Sequence, residues 1–163
     1  MRQLSKKPCK ILFVCLGNIC RSPAAQGVME ALVEEQNLKN EIFIDSAGTY
    51  GGHAGDLPDR RMRVHAQRRG YNLTHKSRQV KYSDFEKFDL IVAMDDANYY
   101  DLKSMASTLE DESKIVSMAT FLRQHPHNDC IPDPYYEGSE GFELVLDLLE
   151  DACSELIRTI RAS

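Results

Sequence analysis

Cys15 and Arg21 are separated by five residues in Val14-Cys15-Leu16-Gly17-Asn18-Ile19-Cys20-Arg21-Ser22-Pro23, a spacing that can serve anion chemistry. A cysteine attacks as its thiolate, a form favoured near arginine and at a helix N-terminus. A guanidinium grips two phosphate oxygens at once, which an ammonium cannot do. A loop entering a helix adds unpaired backbone N–H groups and the positive end of the helix dipole. Gly17 is expected to supply the φ > 0 or close-approach geometry of a tight loop. Asn18 is suited to a left-handed turn or to tying the loop down through its amide. Together these residues place a nucleophile beside a cradle for one tetrahedral oxyanion.

The elements that would position this cradle are legible on either side. Lys10 to Val14 (KILFV) has the short, apolar, partly β-branched character of a buried parallel strand. Ser22-Pro23 reads as a helix start, with Ser22 as a hydroxyl N-cap. Ala25, Val28, Met29, Leu32 and Val33 then recur at helical spacing. A second strand is expected over Glu41 to Asp45, running into Ser46-Ala47-Gly48-Thr49, with a glycine-rich loop over residues 50–58. A basic helix follows from about Asp59 to Arg69, closed by Gly70. Phe88 to Met94 and Lys114 to Ser117 read as the third and fourth strands, and residues 123–138 as a long loop. The last helix lines up Phe142, Val145, Leu146, Leu149, Cys153, Leu156 and Ile160 on one face. This alternation predicts an α/β fold, a four-stranded parallel sheet with helices on both faces. The anion loop would lie at the carboxyl ends of the strands, where such sheets bind ligands. One domain is expected over residues 1–163, with residues 1–8 as a flexible N-terminus.

Composition narrows the function classes. A net charge of −5 gives no general reason to bind nucleic acid or anionic membrane, so positive potential must be local to the loop. There is no apolar signal-peptide core and no stretch that would span a bilayer. Five cysteines without a secretory signal point to a reducing compartment, and the cytoplasm is expected.

Asp133, in Ile131-Pro132-Asp133-Pro134-Tyr135-Tyr136, has two readings: an ordinary turn residue, or an acid held on a stiffened backbone. Cys20 also has two, a small packing residue or a thiol that traps an oxidised Cys15 as a disulfide. His125, His127, Asp129 and Cys130 fit no common zinc spacing, so a solvated loop and no metal are expected. Asp95 and Asp96, at a strand end, read as helix caps. Arg60, Arg61, Arg63, Arg68 and Arg69 read as a solvated helix face.

Residues 14–23 (VCLGNICRSP) resemble the active-site signature of the low-molecular-weight protein tyrosine phosphatases. Asp45-Ser46-Ala47-Gly48, Thr74-His75-Lys76-Ser77-Arg78, Ala93-Met94-Asp95 and Asp133-Pro134-Tyr135-Tyr136 follow in the family's order. The resemblance implies Cys15 as nucleophile, Arg21 with the loop Leu16, Gly17, Asn18, Ile19, Cys20 and Ser22 as phosphate binders, and Asp133 as general acid and then base. It implies that Asn18, Ser22, Ser46 and His75 stiffen the loop, that Asp95 is structural, and that Cys20 is a redox partner of Cys15. It further implies tyrosine-phosphorylated proteins as substrates, inorganic phosphate or other oxyanions as inhibitors, a monomer, and no cofactor or metal.

The rim departs from eukaryotic members, which carry a large aromatic residue where this chain has Tyr50-Gly51-Gly52-His53. Tyr50, His53, Tyr135 and Tyr136, with Leu16, are expected to wall a deep slot suited to a phosphorylated phenol. Three rivals share parts of the pattern. An arsenate reductase needs relay cysteines, and residues 76–129 contain none. A protein arginine phosphatase of this kind places threonine where Ile19 stands. A non-catalytic phosphate- or flavin-binding module would be expected to lose Cys15, Arg21 or Asp133.

Overall fold

Side chains alternate across the first strand, and that alternation builds the layers. In the computed structural model, which describes residues 9–135 and 137–163, β1 spans Cys9–Cys15. Ile11, Phe13 and Cys15 face one core, shared with α1 (Arg21–Glu35) and α6 (Ser139–Ala162). Leu12 and Val14 face the other, with Phe85 from α3 (Asp84–Lys87), Phe88 just beyond it, and Leu102 from α4 (Asp96–Met105). Burial on both faces explains why β1 is an almost unbroken apolar run.

Beside it lie β2 (Ile42–Gly48), β3 (Leu90–Ala93) and β4 (Ile115–Ser117), all parallel, in the order β2-β1-β3-β4. The remaining helices are α2 (Arg60–Arg68), α5 (Leu109–Ser113) and a 3-10 turn at Met118–Phe121. From β1 the chain moves to β2 on one side and returns to β3 on the other. The carboxyl end of β1 is therefore a topological switch point, and residues 16–20 leave the sheet there.

Several boundaries differ from the sequence expectation. β2 takes in Ser46, Ala47 and Gly48 because Gly48 is in register with Cys15 and also bridges to Gln79. β3 begins at Leu90, since the Phe88 amide closes α3 on Asp84 O and the Asp89 carboxylate accepts from Lys10 N at 2.8 Å. Ser22 is not the N-cap of α1: Cys20 holds that place, and the helix begins at Arg21. Asp59 does cap α2, accepting from Arg61 N and Met62 N, and Gly70 at φ +89° ends it in the left-handed region.

Arg60, Arg61 and Arg68 lie on an exposed face, as expected, while Arg63 and Arg69 are half-buried. Arg69, just past its end, meets Glu143, Asp147 and Glu150 of α6 at 2.7, 2.9 and 2.8 Å. His65 is buried, stacks on Phe142 and bonds Glu143. These contacts fasten α2 to α6. Among the described residues, no helix is long and apolar enough to cross a membrane.

Candidate active site

The end of β1 delivers Cys15 into a tight loop, which Asn18 turns by adopting φ 57°. Asn18, not Gly17, therefore supplies the left-handed residue. Gly17 is needed for closeness instead, because a Cβ there would lie 3.0 Å from the His53 ring. The backbone N–H groups of Leu16, Gly17, Asn18, Ile19 and Cys20 donate to no acceptor among the described residues. Their carbonyls are anchored outward: Leu16 O by Tyr50 N, Gly17 O by Ser77 Oγ, and Ile19 O by Asp59 N.

Asn18 is the hub behind the loop. Its Nδ2 donates to Ser22 Oγ at 2.7 Å and to Ser46 Oγ at 3.0 Å, while its Oδ1 meets Arg78 N and His75 Nε2, each at 3.1 Å. Ser46 Oγ passes its own proton to Gln26 Oε1 at 2.6 Å. Ser22 Oγ accepts from Asn18, and its hydroxyl proton has two acceptors within reach, Cys15 Sγ at 3.0 Å and Ala47 O at 3.4 Å. Ser22 N also approaches that sulfur, at 3.4 Å. The expected positions of Ser22, Ser46 and His75 around Asn18 are thus brought together. Gln26, one helical turn beyond Ser22, completes the network, a part the sequence did not point to.

Burial pushes the His75 imidazole below its ordinary value, with Asp45 opposing and Arg78 assisting. The folded protein consequently binds that proton less readily than the unfolded chain. The linked stability is complete above the ordinary imidazole range and is lost as pH falls through the depressed value. Between about pH 7 and 5 the melting temperature of the wild type is expected to drop more than that of His75→Gln, which keeps a donor for Asn18. Parallel curves for the two proteins would remove His75 as the cause.

Arg21 is almost wholly buried, at 2% exposure. Its Nη1 donates to Asp95 Oδ2 at 2.6 Å and to Ile131 O at 3.0 Å. Asp95 also caps α4 through Asn98 N, so the helix start and the arginine share one carboxylate. Burial opposes the charge on Arg21, but Cys15, Asp95 and Asp133 outweigh it and its pKa rises. Its Nε is buried without a partner among the described residues, and Nη2 lies 3.6 Å from Asp133 Oδ2. Asp133 comes from the loop before α6, which Ile131 N ties to Met94 O at the end of β3. The Asp133 carboxylate is turned by its own loop, Tyr135 N donating to Oδ1 at 3.0 Å. Oδ2 is left as the oxygen nearer the guanidinium.

Cys15, Arg21 and Asp133 line one cavity of about 230 Å³ with Leu16, Gly17, Ile19, Cys20, Tyr50, His53 and Tyr135. Tyr50, His53 and Tyr135 gather at this cavity; Tyr136 lies outside the described residues. Burial, followed by the charges of Asp59, Cys15 and Asp133, pushes the Cys20 thiol up, so it stays protonated. His125 Nδ1 bonds Asp151 Oδ2 at 3.0 Å, the same carboxylate caps the amides of Arg123 and Gln124, and among the described residues no three His, Cys, Asp or Glu side chains gather as a metal site.

This is an α/β protein whose switch point gathers a cysteine sulfur, a loop of unpaired amides and a buried guanidinium. Residues 10–163 match the family described as low molecular weight phosphotyrosine protein phosphatase. A putative low molecular weight protein-tyrosine-phosphatase from Synechocystis is 44% identical over 151 residues, covering 93% of this chain and 96% of that protein. Among solved structures, a protein tyrosine phosphatase from Entamoeba histolytica with Hepes in its active site superposes with a TM-score of 0.91. It is 45% identical, over 94% of this chain and 97% of its own. The Drosophila arginine phosphatase superposes with a TM-score of 0.85 at 32% identity, over 91% and 96% of the two chains. The chain belongs to the low molecular weight phosphotyrosine protein phosphatase family, whose members are hydrolases.

Proposed function

We propose that this chain hydrolyses phosphotyrosine in proteins through a phosphocysteine on Cys15. The observation that carries the reading is the set of unspent donors around the sulfur: five loop amides and the buried Nε of Arg21. They match the equatorial oxygens of a phosphoryl group in transfer, where fixed donors are worth most.

In the first step the Cys15 sulfur forms an S–P bond as the bond from phosphorus to the phenolic oxygen breaks. Asp133 gives its proton to that oxygen, and tyrosine leaves as a neutral phenol. Its Oδ2 is suited to carry the proton, because Oδ1 is engaged by Tyr135 N. In the second step water attacks phosphorus, Asp133 takes a proton from it, and the S–P bond breaks. The Ser22 hydroxyl donates to the departing sulfur. No step calls for a metal, so chelator is expected to leave the rate unchanged. Asp133→Asn keeps the loop geometry and is expected to lower kcat for a phosphotyrosyl peptide about 10²- to 10³-fold with little change in KM. An unchanged kcat would remove Asp133 from the proton transfer.

The slot between Leu16, Tyr50, His53 and Tyr135 supports a flat phenol over a short phosphoserine. Inorganic phosphate and related oxyanions are proposed as competitive inhibitors. Hepes, seen in the Entamoeba active site, carries a sulfonate of similar shape. The likeness to the Drosophila arginine phosphatase keeps phosphoarginine as a second reading. Ile19 on the cavity wall favours the phenol. Side-by-side turnover of phosphotyrosyl and phosphoarginyl peptides decides it, and faster phosphoarginine hydrolysis would overturn the substrate assignment.

Cys20, buried on the same cavity wall, is proposed to capture Cys15 after peroxide has oxidised it to the sulfenic acid, releasing water as the disulfide forms. We further propose that residues 10–163 form one such domain, acting as a monomer in the cytoplasm; the flexible N-terminus expected over residues 1–8 lies outside the described residues.

A further inference from the structure

Asp133 sits on an exposed loop, its side chain 43% accessible, yet a general acid must be held to a fraction of an ångström. The contact that orients it is Tyr135 N, and Tyr135 is itself 36% exposed on a turn. One contact that holds Tyr135 comes from α2. The Arg61 guanidinium lies 5.3 Å from the centre of the Tyr135 ring and 4.9 Å from that of Phe142, the latter buried in the first turn of α6. Arg61 is pinned in turn by Asp59, with Nε to Oδ1 at 3.1 Å and Nη2 to Oδ2 at 3.0 Å. Asp59 is joined to the phosphate loop, its N–H donating to Ile19 O at 2.7 Å. A bidentate pair that also stacks on two rings is held from both sides, unlike an ordinary surface arginine.

We propose that Arg61 is a positioning residue for the general acid: clamped by Asp59 beside the phosphate loop, it holds the Tyr135 ring and, through the Tyr135 amide, sets the Asp133 carboxylate. The inference rests on the assignment of Asp133 as the acid. Arg61 touches neither the sulfur nor the phosphoryl group. Its effect is confined to how often Oδ2 stands where the leaving oxygen needs a proton. That need is large for a phenol of high pKa and small for p-nitrophenol, whose anion leaves unaided. Loss of Arg61 therefore changes the dependence on leaving group, which a general loss of stability does not.

The test is kcat/KM for a series of aryl phosphates of rising leaving-group pKa, measured for the wild type, Arg61→Met, Arg60→Met and Asp133→Asn. Arg61→Met retains the backbone N–H that Asp59 caps and a straight side chain over the rings. Its kcat/KM for phenyl phosphate is expected to fall about fivefold, against less than about twofold for p-nitrophenyl phosphate. Arg60→Met, on the same exposed turn, is expected to follow the wild-type slope. Asp133→Asn is expected to give the steepest slope. If Asp133→Asn steepens the series and Arg61→Met does not, or lowers every substrate alike, the positioning role is wrong. If Asp133→Asn leaves the slope unchanged, the acid assignment fails and the proposal falls with it.

Discussion

Cys15→Ser is expected to lower hydrolysis of p-nitrophenyl phosphate by about 10⁴-fold or more while leaving the fold and phosphate binding in place. The substitution is nearly isosteric at a site only 3% exposed, and a serine hydroxyl can still meet Ser22 Oγ. What it removes is the sulfur nucleophile, since a serine hydroxyl stays protonated at neutral pH and the side-chain contacts of this position are Ser22 Oγ and Ser22 N rather than a base. His75 Nε2 is engaged by Asn18 Oδ1 at 3.1 Å. The donors around the anion are untouched, so phosphate is expected to protect the variant against thermal unfolding as it does the wild type. Activity within tenfold of wild type would rule out Cys15 as the nucleophile.

Arg21→Lys has the second-largest expected effect, a fall in kcat/KM of about 10²- to 10³-fold with the charge retained. An ammonium cannot serve Asp95, the Ile131 carbonyl and the phosphoryl oxygens together, as the guanidinium is placed to do. The change also costs stability. The Ile131 carbonyl loses its charged donor, and a buried acceptor left unpaired costs about 1–3 kcal/mol. Ile131 opens the segment that carries Asp133, so the acid loop loosens as well. Comparing kcat/KM with the melting temperature separates the two losses. A lysine variant with near wild-type kcat/KM would mean that the fork geometry of Arg21 is not needed.

The strand, the loop and the final helix were legible because each is decided by local pattern. KILFV is buried on both faces, and the apolar stripe from Phe142 to Ile160 leaves the last helix one possible face. Ser22 misled for a physical reason. Ser-Pro is a strong helix-start signal, but the competing demand for a donor at Cys15 Sγ draws Ser22 into the first turn and leaves Cys20 at the cap. Asn18 takes both of its expected parts, the left-handed turn and the tie through its amide, and Gly17 is left with close approach. The side-chain amide of Asn18 is fully engaged by Ser22, Ser46, Arg78 and His75, which outweighs the strain of its φ.

The roles of Arg61, Arg69 and Gln26 were not legible, since each depends on partners far along the chain. Arg69 had one available signal: Glu143, Asp147 and Glu150 recur at helical spacing on the final helix and form an acidic stripe. Gln26 stands four residues after Ser22, so a helix already turned toward the loop would have placed it beneath Ser46.

The central claim is a covalent phosphoryl group on Cys15, and rapid acid quench of the wild-type enzyme mixed with p-nitrophenyl phosphate tests it most directly. The intact-protein mass is expected to rise by one phosphoryl group within the first turnovers, the adduct mapping by peptide analysis to Cys15 and absent in Cys15→Ser. Turnover with no adduct at any quench time, or an adduct mapped to another residue, would contradict it.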